Sequence, residues 1–388
     1  MSAGKSWWLL NFVCAAAWAC AACATNATGD WGGLLPDPLR VIVHIRESEG
    51  KYAATVEIPD ETDEIFHPTI TVSPRRLKMT IKSLPIQDDG KSAPVRYDGH
   101  WDEAQAAWIG TWSLGTTTEP LVLKRVNKVA IDAMAPRRPQ EAAIAAAPVP
   151  YTQEEVHFES SADHVILAGS FTRPAGPGPF PAVLLITGAG IQNRDALVYR
   201  HKTHLLLADD LTRRGIATLR YDKRGLFASG GDFKRATLED LVADASSALR
   251  YLESRREVDV HHVGLIGHSQ GGWIAPRVAV SDSAVAFVVM MAAPAAGSAQ
   301  GAVLRRLTVP VLALNGSLDH QVISKPNLTA IQEALRDNRA ATVMELPGIN
   351  HMFTTARTGS EWEYVMIEES FAPAALKIIG DWVVDQVK

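Results

Sequence analysis

The chain has 388 residues, 47% hydrophobic and 21% charged, an ordinary globular composition with room for two or three domains. A domain of about 200 residues buries a core without disulfide staples. The formal net charge is −5 and no basic run occurs, which argues against nucleic acid as a partner.

Residues 1–24 read as a secretory signal peptide. Lys5 is the only charge ahead of an apolar run over 7–24, interrupted by Asn11, and the run ends in Ala22-Cys23-Ala24, a small-x-small cleavage pattern. The run is also near the lower limit of a membrane span, roughly 17 residues, so an uncleaved anchor is the alternative. Cys14, Cys20 and Cys23 all lie here. A chain cleaved near Thr25 therefore has neither disulfides nor thiol chemistry. Neither Cys20 nor Cys23 follows a Leu-small-small run, which argues against lipidation. The expected location is secreted or periplasmic, with membrane contact only through this segment if it is retained or lipidated.

Residues 25–132 read as a small antiparallel β domain with one buried face. Leu39, Val41, Val43 and Ile45 alternate with Arg40, Ile42, His44 and Arg46, the period of a strand. The stretches 69–72, 77–81 and 120–123 are short and β-prone. Turn residues separate them at Glu49-Gly50, Asp88-Asp89-Gly90, Asp98-Gly99 and Gly115-Thr116. Trp31, Trp101, Trp108 and Trp112 fit core and turn packing better than a groove for a sugar or apolar ligand. Residues 133–150, rich in Ala and Pro, read as a linker of extended character.

From 151 to 388 the pattern changes. A leading hairpin over 156–158 and 165–167 precedes a Pro/Gly turn at 173–181. Apolar strands at 182–186, 216–221, 263–266, 287–291, 309–314 and 342–346 then alternate with amphipathic helices near 205–214, 238–255, 273–280, 327–336 and 374–384. This spells a mostly parallel sheet with helices on both faces, and such sheets bind ligands at the carboxyl ends of their strands.

Three residues sit where strands end. Ser269 stands in Gly267-His268-Ser269-Gln270-Gly271, between an apolar strand and an apolar segment resuming at Trp273. Strand, sharp turn and helix with serine at the apex is the pattern of a nucleophile elbow, and the glycines let the turn close. A plain Gly-rich turn with a capping serine is the bland alternative. Asp319 follows 309–314 and His351 follows 342–346, completing the order Ser, acid, His. Serine needs a base in reach, and the imidazole needs a carboxylate to fix its tautomer. His320, His268 and Asp282 are rivals: His268 lies within the elbow, pointing away from its apex, and Asp282 follows a helix. One oxyanion N–H is expected from Gln270. The other is expected from Thr187-Gly188-Ala189-Gly190, with Ala189 favoured and Gly188 and Gly190 as alternatives. Arg194-Asp195 reads as a local ion pair, or as part of the substrate cleft with Gly188 and Gly190.

The catalytic half resembles the secreted bacterial α/β-hydrolases of the serine esterase type. The resemblance is carried by Thr187-Gly188-Ala189-Gly190 with Gln192-Asn193-Arg194-Asp195, by Arg220-Tyr221-Asp222-Lys223-Arg224-Gly225, and by Ser229-Gly230-Gly231-Asp232-Phe233. The elbow, Asp319-His320-Gln321-Val322 and Gly348-Ile349-Asn350-His351 complete it. Asp30-Trp31-Gly32-Gly33-Leu34 and the β domain are similar to an amino-terminal domain that some of these enzymes carry. The resemblance implies an α/β-hydrolase fold and hydrolysis of small carboxylic esters with short acyl chains, without metal or cofactor. Those relatives usually carry a long helical cap before the strand that leads to the acid. Here only a short connection separates 287–291 from 307, so a reduced or absent cap and a more open cleft are expected. The alternatives are a serine peptidase of the prolyl-oligopeptidase type, whose propeller the β domain is too short to form, and a binding protein with a vestigial triad.

Overall fold

Alternating apolar and polar side chains build the amino-terminal sheet. The computed structural model describes residues 27–36, 39–59, 65–85, 92–115, 117–127, 130, 137–146 and 148–388; the 1–24 leader reading lies outside them. The strands are β1 (Gly29–Leu34), β2 (Arg40–Ser48), β3 (Lys51–Glu57), β4 (Ile65–Phe66), β5 (Thr69–Ser73), β6 (Arg76–Pro85), β7 (Ser92–Asp102), β8 (Ala107–Leu114) and β9 (Thr117–Arg125). They form one antiparallel sheet in the order β4-β3-β2-β1-β9-β8-β7-β6-β5. The first and last strands meet at its centre, so each half is a simple meander. One face is core: Trp31, Val41, Val43, Ile45, Val56, Leu77, Trp108 and Leu123 are wholly buried. The tryptophan rings of 31, 101 and 108 pack edge to face at 5.3–6.3 Å, and the Trp31 indole N–H donates to the Ala27 carbonyl at 2.7 Å. These aromatics build a core, the favoured geometry for their quadrupoles.

A second sheet carries the chemistry. It comprises β10 (Tyr151–Glu159), β11 (Ile166–Pro174), β12 (Phe180–Ile186), β15 (Ala217–Tyr221), β16 (Val258–His268), β17 (Val285–Met291), β18 (Val311–Gly316) and β19 (Ala341–Leu346). A separate two-stranded ribbon, β13 (Leu197–Val198) and β14 (His201–Lys202), follows β12. The order is β10-β11-β15-β12-β16-β17-β18-β19. The pairs β10–β11 and β11–β15 are antiparallel and the rest parallel. Its helices are α1 (Pro139–Ala146), α2 (Thr203–Arg213), α3 (Leu238–Glu253), α4 (Gly271–Ser281), α5 (Gln300–Leu304), α6 (Ser324–Ala334), α7 (Glu361–Met366) and α8 (Pro373–Gln386). Two apolar clusters lie on opposite faces, one under α3, α4 and α6, the other under α2 and α8. The expected architecture is therefore observed. From β12 the chain passes to β15 on one side, and from β16 to β17 on the other. The strand order thus reverses between β12 and β16, which opens a crevice at their carboxyl ends.

One expectation is corrected. The Ala/Pro stretch is not wholly extended: Pro139 opens α1, where its missing N–H costs nothing, and the alanines that follow are the best helix formers. The segment is also docked. Arg138 donates to the carbonyls of Tyr199 (2.8 Å), Val365 (2.9 Å) and Ile367 (2.8 Å). The Gln140 side-chain oxygen accepts from the N–H groups of Ser370 (2.7 Å) and Phe371 (3.0 Å). The connection 292–310 holds one short helix, α5.

Two buried histidines set a pH dependence. His201 contacts Ser370 Oγ (3.0 Å) and the Tyr364 carbonyl (2.6 Å), while neither ring nitrogen of His204 has a partner among the described residues. Burial, with the nearby positive charge of Arg138 or Arg220, pushes both down to about 3. The unfolded chain takes up these protons near pH 6.5 and the native state does not, so stability is full above about 6.5 and falls as pH drops toward 3. Chemical denaturation at stepped pH is expected to lose about 1.4 kcal/mol per pH unit for each histidine, and His204→Leu should flatten that slope.

Candidate active site

The site begins at the end of β16. Ser269 adopts φ +51°, a left-handed backbone that a non-glycine residue holds only when its surroundings enforce it. The two glycines supply that enforcement. A Cβ on Gly267 would collide with the carbonyl of Gly271, and one on Gly271 with the carbonyl of Ile186 at the end of β12. The turn is thus pressed onto the neighbouring strand. The Ser269 N–H donates to the Met291 carbonyl at 2.8 Å, and α4 starts two residues later.

Asp319 and His351 arrive from the ends of β18 and β19. His351 Nδ1 lies 2.8 Å from Asp319 Oδ2, with both side chains at or below 5% exposure. The other Asp319 oxygen accepts from the N–H groups of Gln321 (2.9 Å) and Val322 (2.7 Å). The carboxylate has no proton to give, so Nδ1–H is the donor and Nε2 carries the lone pair. Ser269 and His351 line one pocket with Ala189, Gln192, Val198, Tyr199, His268, Gln321, Met352 and Tyr364.

The rival residues take other roles. His268 is buried, and its Nε2 donates to the His351 carbonyl at 2.8 Å. Burial first, and the neighbouring His351 second, hold it well below the usual histidine range. It is a neutral strut under the His351 loop. His320 is exposed, and Asp282 accepts from Ala284 N–H (3.0 Å) in the turn after α4.

The loop after β12 lies against the elbow. A Cβ on Gly188 would sit 3.3 Å from that of Ser269, and the Gln192 side-chain amide donates to the Ala189 carbonyl at 2.8 Å. Neither the Ala189 nor the Gln270 N–H meets an acceptor among the described residues. Arg194 is the correction here. Its guanidinium is bound by Asp222 (Nη2–Oδ2 2.8 Å), by Glu155 and by Ser170 Oγ (3.1 Å), outside the pocket. Its partner is Asp222, whereas Asp195 faces Arg220 at 3.3 Å. Two carboxylates and a serine thus hold the guanidinium at a place apart from the pocket lining.

The sequence offered no signal for the pocket walls. Val198 and Tyr199 come from the β13–β14 ribbon, whose two turn residues, Tyr199 and Arg200, both have positive φ (49° and 66°). Such turns favour Asn-Gly, and each L-residue there costs about 1–2 kcal/mol. The Arg138 bond to the Tyr199 carbonyl offsets that strain. Met352 and Tyr364 line the pocket with Val198 and Tyr199 and pack in the same cluster, Tyr199 meeting Tyr364 edge-on at 5.7 Å. The space left is about 60 Å³, well under the roughly 300 Å³ at the low end of drug-sized ligand sites. None of its lining comes from 292–310.

A strained serine elbow at the reversal point of a mostly parallel eight-stranded sheet makes this molecule an α/β-hydrolase. Within that class, the chain belongs to the dienelactone hydrolase family, which it matches over residues 167–374. It is 38% identical over 130 residues to Esterase EstD of Thermotoga maritima, an alignment covering 33% of this chain. The chain spans 31% of the length of that curated relative. Among solved structures it is similar to Est1E from Butyrivibrio proteoclasticus with bound ferulic acid (16% identity, 60% of this chain and 99% of that one, TM-score 0.47). It is also similar to a putative dienelactone hydrolase from Klebsiella pneumoniae (18% identity, 61% and 98%, TM-score 0.46).

The elbow geometry is testable by itself. Gly271→Ala forces a methyl group into the Ile186 carbonyl, and thermal unfolding should show a loss of about 2–4 kcal/mol, with reduced reactivity of Ser269 toward a fluorophosphonate.

Proposed function

We propose that this protein hydrolyses carboxylic esters of short acyl chain through an acyl-enzyme on Ser269. The observation that carries the reading is the buried 2.8 Å contact between His351 Nδ1 and Asp319, beside Ser269 in one pocket. Ser269 Oγ attacks the ester carbonyl while His351 Nε2 takes its proton. Asp319 holds the imidazolium, and the Gln270 and Ala189 N–H groups receive the oxyanion. His351 then returns the proton to the departing alcohol and activates the water that releases the acid. Water is the only co-reactant these steps require. The small aromatic-walled space favours acetyl-sized acyl groups, and the esterase name of the Thermotoga maritima relative agrees with the bond class. We also propose that the protein works outside the cytoplasm, a reading that rests on the 7–24 apolar run and its Ala22-Cys23-Ala24 end; amino-terminal mass analysis of the exported protein tests it.

A fluorophosphonate should label the wild type and leave Ser269→Ala unlabelled; an unlabelled wild type would sink the reading. Asp319→Asn should lower kcat about 10⁴-fold by losing the correct tautomer. Rates with p-nitrophenyl esters should fall steeply beyond butyrate, and Tyr199→Ala should extend the accepted length. Faster turnover of peptide amides than of esters would favour a peptidase instead. Acidification should reduce kcat/KM, because a protonated imidazole accepts no proton from serine.

A further inference from the structure

Lys223 lies just past β15 and is 4% exposed. Its neighbours in sequence are both paired: Asp222 with Arg194 and Arg224 with Asp244, each at 2.8 Å or less. Lys223 has no carboxylate partner among the described residues. Its ammonium donates instead to two backbone carbonyls of the loop after β12, Gly188 and Gly190, the latter at 2.9 Å. Burying a cation without a counter-ion is costly, and an apolar side chain of similar volume would fill the place more cheaply. The charge therefore calls for an explanation beyond packing.

Peptide geometry supplies one. In a trans peptide the C=O of one residue and the N–H of the next point in opposite directions. With the Gly188 carbonyl turned down onto Lys223, the Ala189 N–H is turned the other way, toward the pocket that Ala189 lines. The Gln192 amide holds the Ala189 carbonyl, so the Gly190 N–H opposes that bond instead. A cation on the carbonyl also polarises the peptide and strengthens its N–H as a donor. Resting on the ester-hydrolase reading above, we propose that Lys223 is the positioning residue of the oxyanion hole. It grips the carbonyls of Gly188 and Gly190, and so selects, aims and polarises the Ala189 N–H toward the tetrahedral intermediate.

The surroundings suit this role. His204 and His268 lie near enough to feel Lys223, and burial holds both far below the usual histidine range, so neither competes as a cation. Arg220 is the other positive charge felt by His204. Burial alone brings Lys223 itself down to about 7, which agrees with an ammonium whose charge no carboxylate stabilises.

The test separates ground-state from transition-state effects. Lys223→Met should fold, lower kcat for p-nitrophenyl acetate about 10–100-fold and leave KM within about threefold, a smaller loss than deleting an oxyanion donor outright. It should weaken a trifluoromethyl ketone, which binds as an oxyanion adduct, by a similar factor, and leave the matching methyl ketone unaffected. Lys223→Arg, which keeps the charge and the donors, should recover part of the loss. A folded Lys223→Met with wild-type kcat, or with both ketones weakened equally, overturns the proposal. If circular dichroism shows Lys223→Met unfolded, Lys223→Arg and Lys223→Gln are compared. Both retain donors, so a higher kcat for Arg supports the proposal and equal values overturn it. Fluorophosphonate labelling of the wild type tells the two failures apart. A labelled, ester-cleaving wild type with an indifferent Lys223 removes only this inference, whereas an unlabelled wild type removes the function on which it rests.

Discussion

The contact on which the site depends is the approach of Gly271 to the Ile186 carbonyl. It brings the elbow at the end of β16 against the end of β12, with no side chain between them. Two consequences follow from that single closeness. Ser269 is forced into its left-handed backbone, and the loop that carries Ala189 lies beside it. A hydrolase of this kind needs a nucleophile and an oxyanion site a bond length or two apart. Here the spacing is set by backbone packed on backbone, which is stiffer than any side-chain contact.

Around that contact, Lys223 apart, buried arginines are held by carboxylates. Arg224 binds Asp244 through two 2.7 Å bonds, with both side chains at most 4% exposed. Arg194 ties Asp222 to Glu155, joining the loop after β12 to β10 and to the turn after β15. Breaking such a pair leaves a lone buried ion and costs about 3–5 kcal/mol. These pairs tie the loop after β12 to the turn after β15, and that turn to α3. His268 braces a loop with no charge at all, by donating to the His351 carbonyl.

The cleft walls follow a different logic. The ribbon bearing Tyr199 and the segment bearing Tyr364 pack against each other at the pocket, and Arg138 binds the carbonyls of both Tyr199 and Val365. A residue of the stretch that joins the two sheets therefore pins these two segments to each other. The connection 292–310 takes no part in the lining. The walls that a long cap would provide are instead two short excursions, and the aromatic rings on them leave little room, so the cleft is not the more open one that the short connection led one to expect.

Much of this was legible in the linear chain. Apolar runs long enough to cross a sheet covered on both faces marked the strands of the second sheet, because burial on two sides removes polar alternation. The order of Ser269, Asp319 and His351 at strand ends was equally visible, since a strand's end and the turn after it are local events. What local pattern could not carry was everything made by distant segments. Arg194 reads as the partner of its neighbour Asp195, or as part of the cleft, until Asp222 and Glu155 are brought to it. Pro139 and the alanines after it read as a linker until α1 finds a surface to dock on. Tyr199 and Arg200 oppose their own turn preference and are held there by Arg138. By itself the sequence determined which residues stand at strand ends and in what order. Only the tertiary structure decided which of them meet, because a pocket is built from backbone directions and packing distances between segments that share no local pattern.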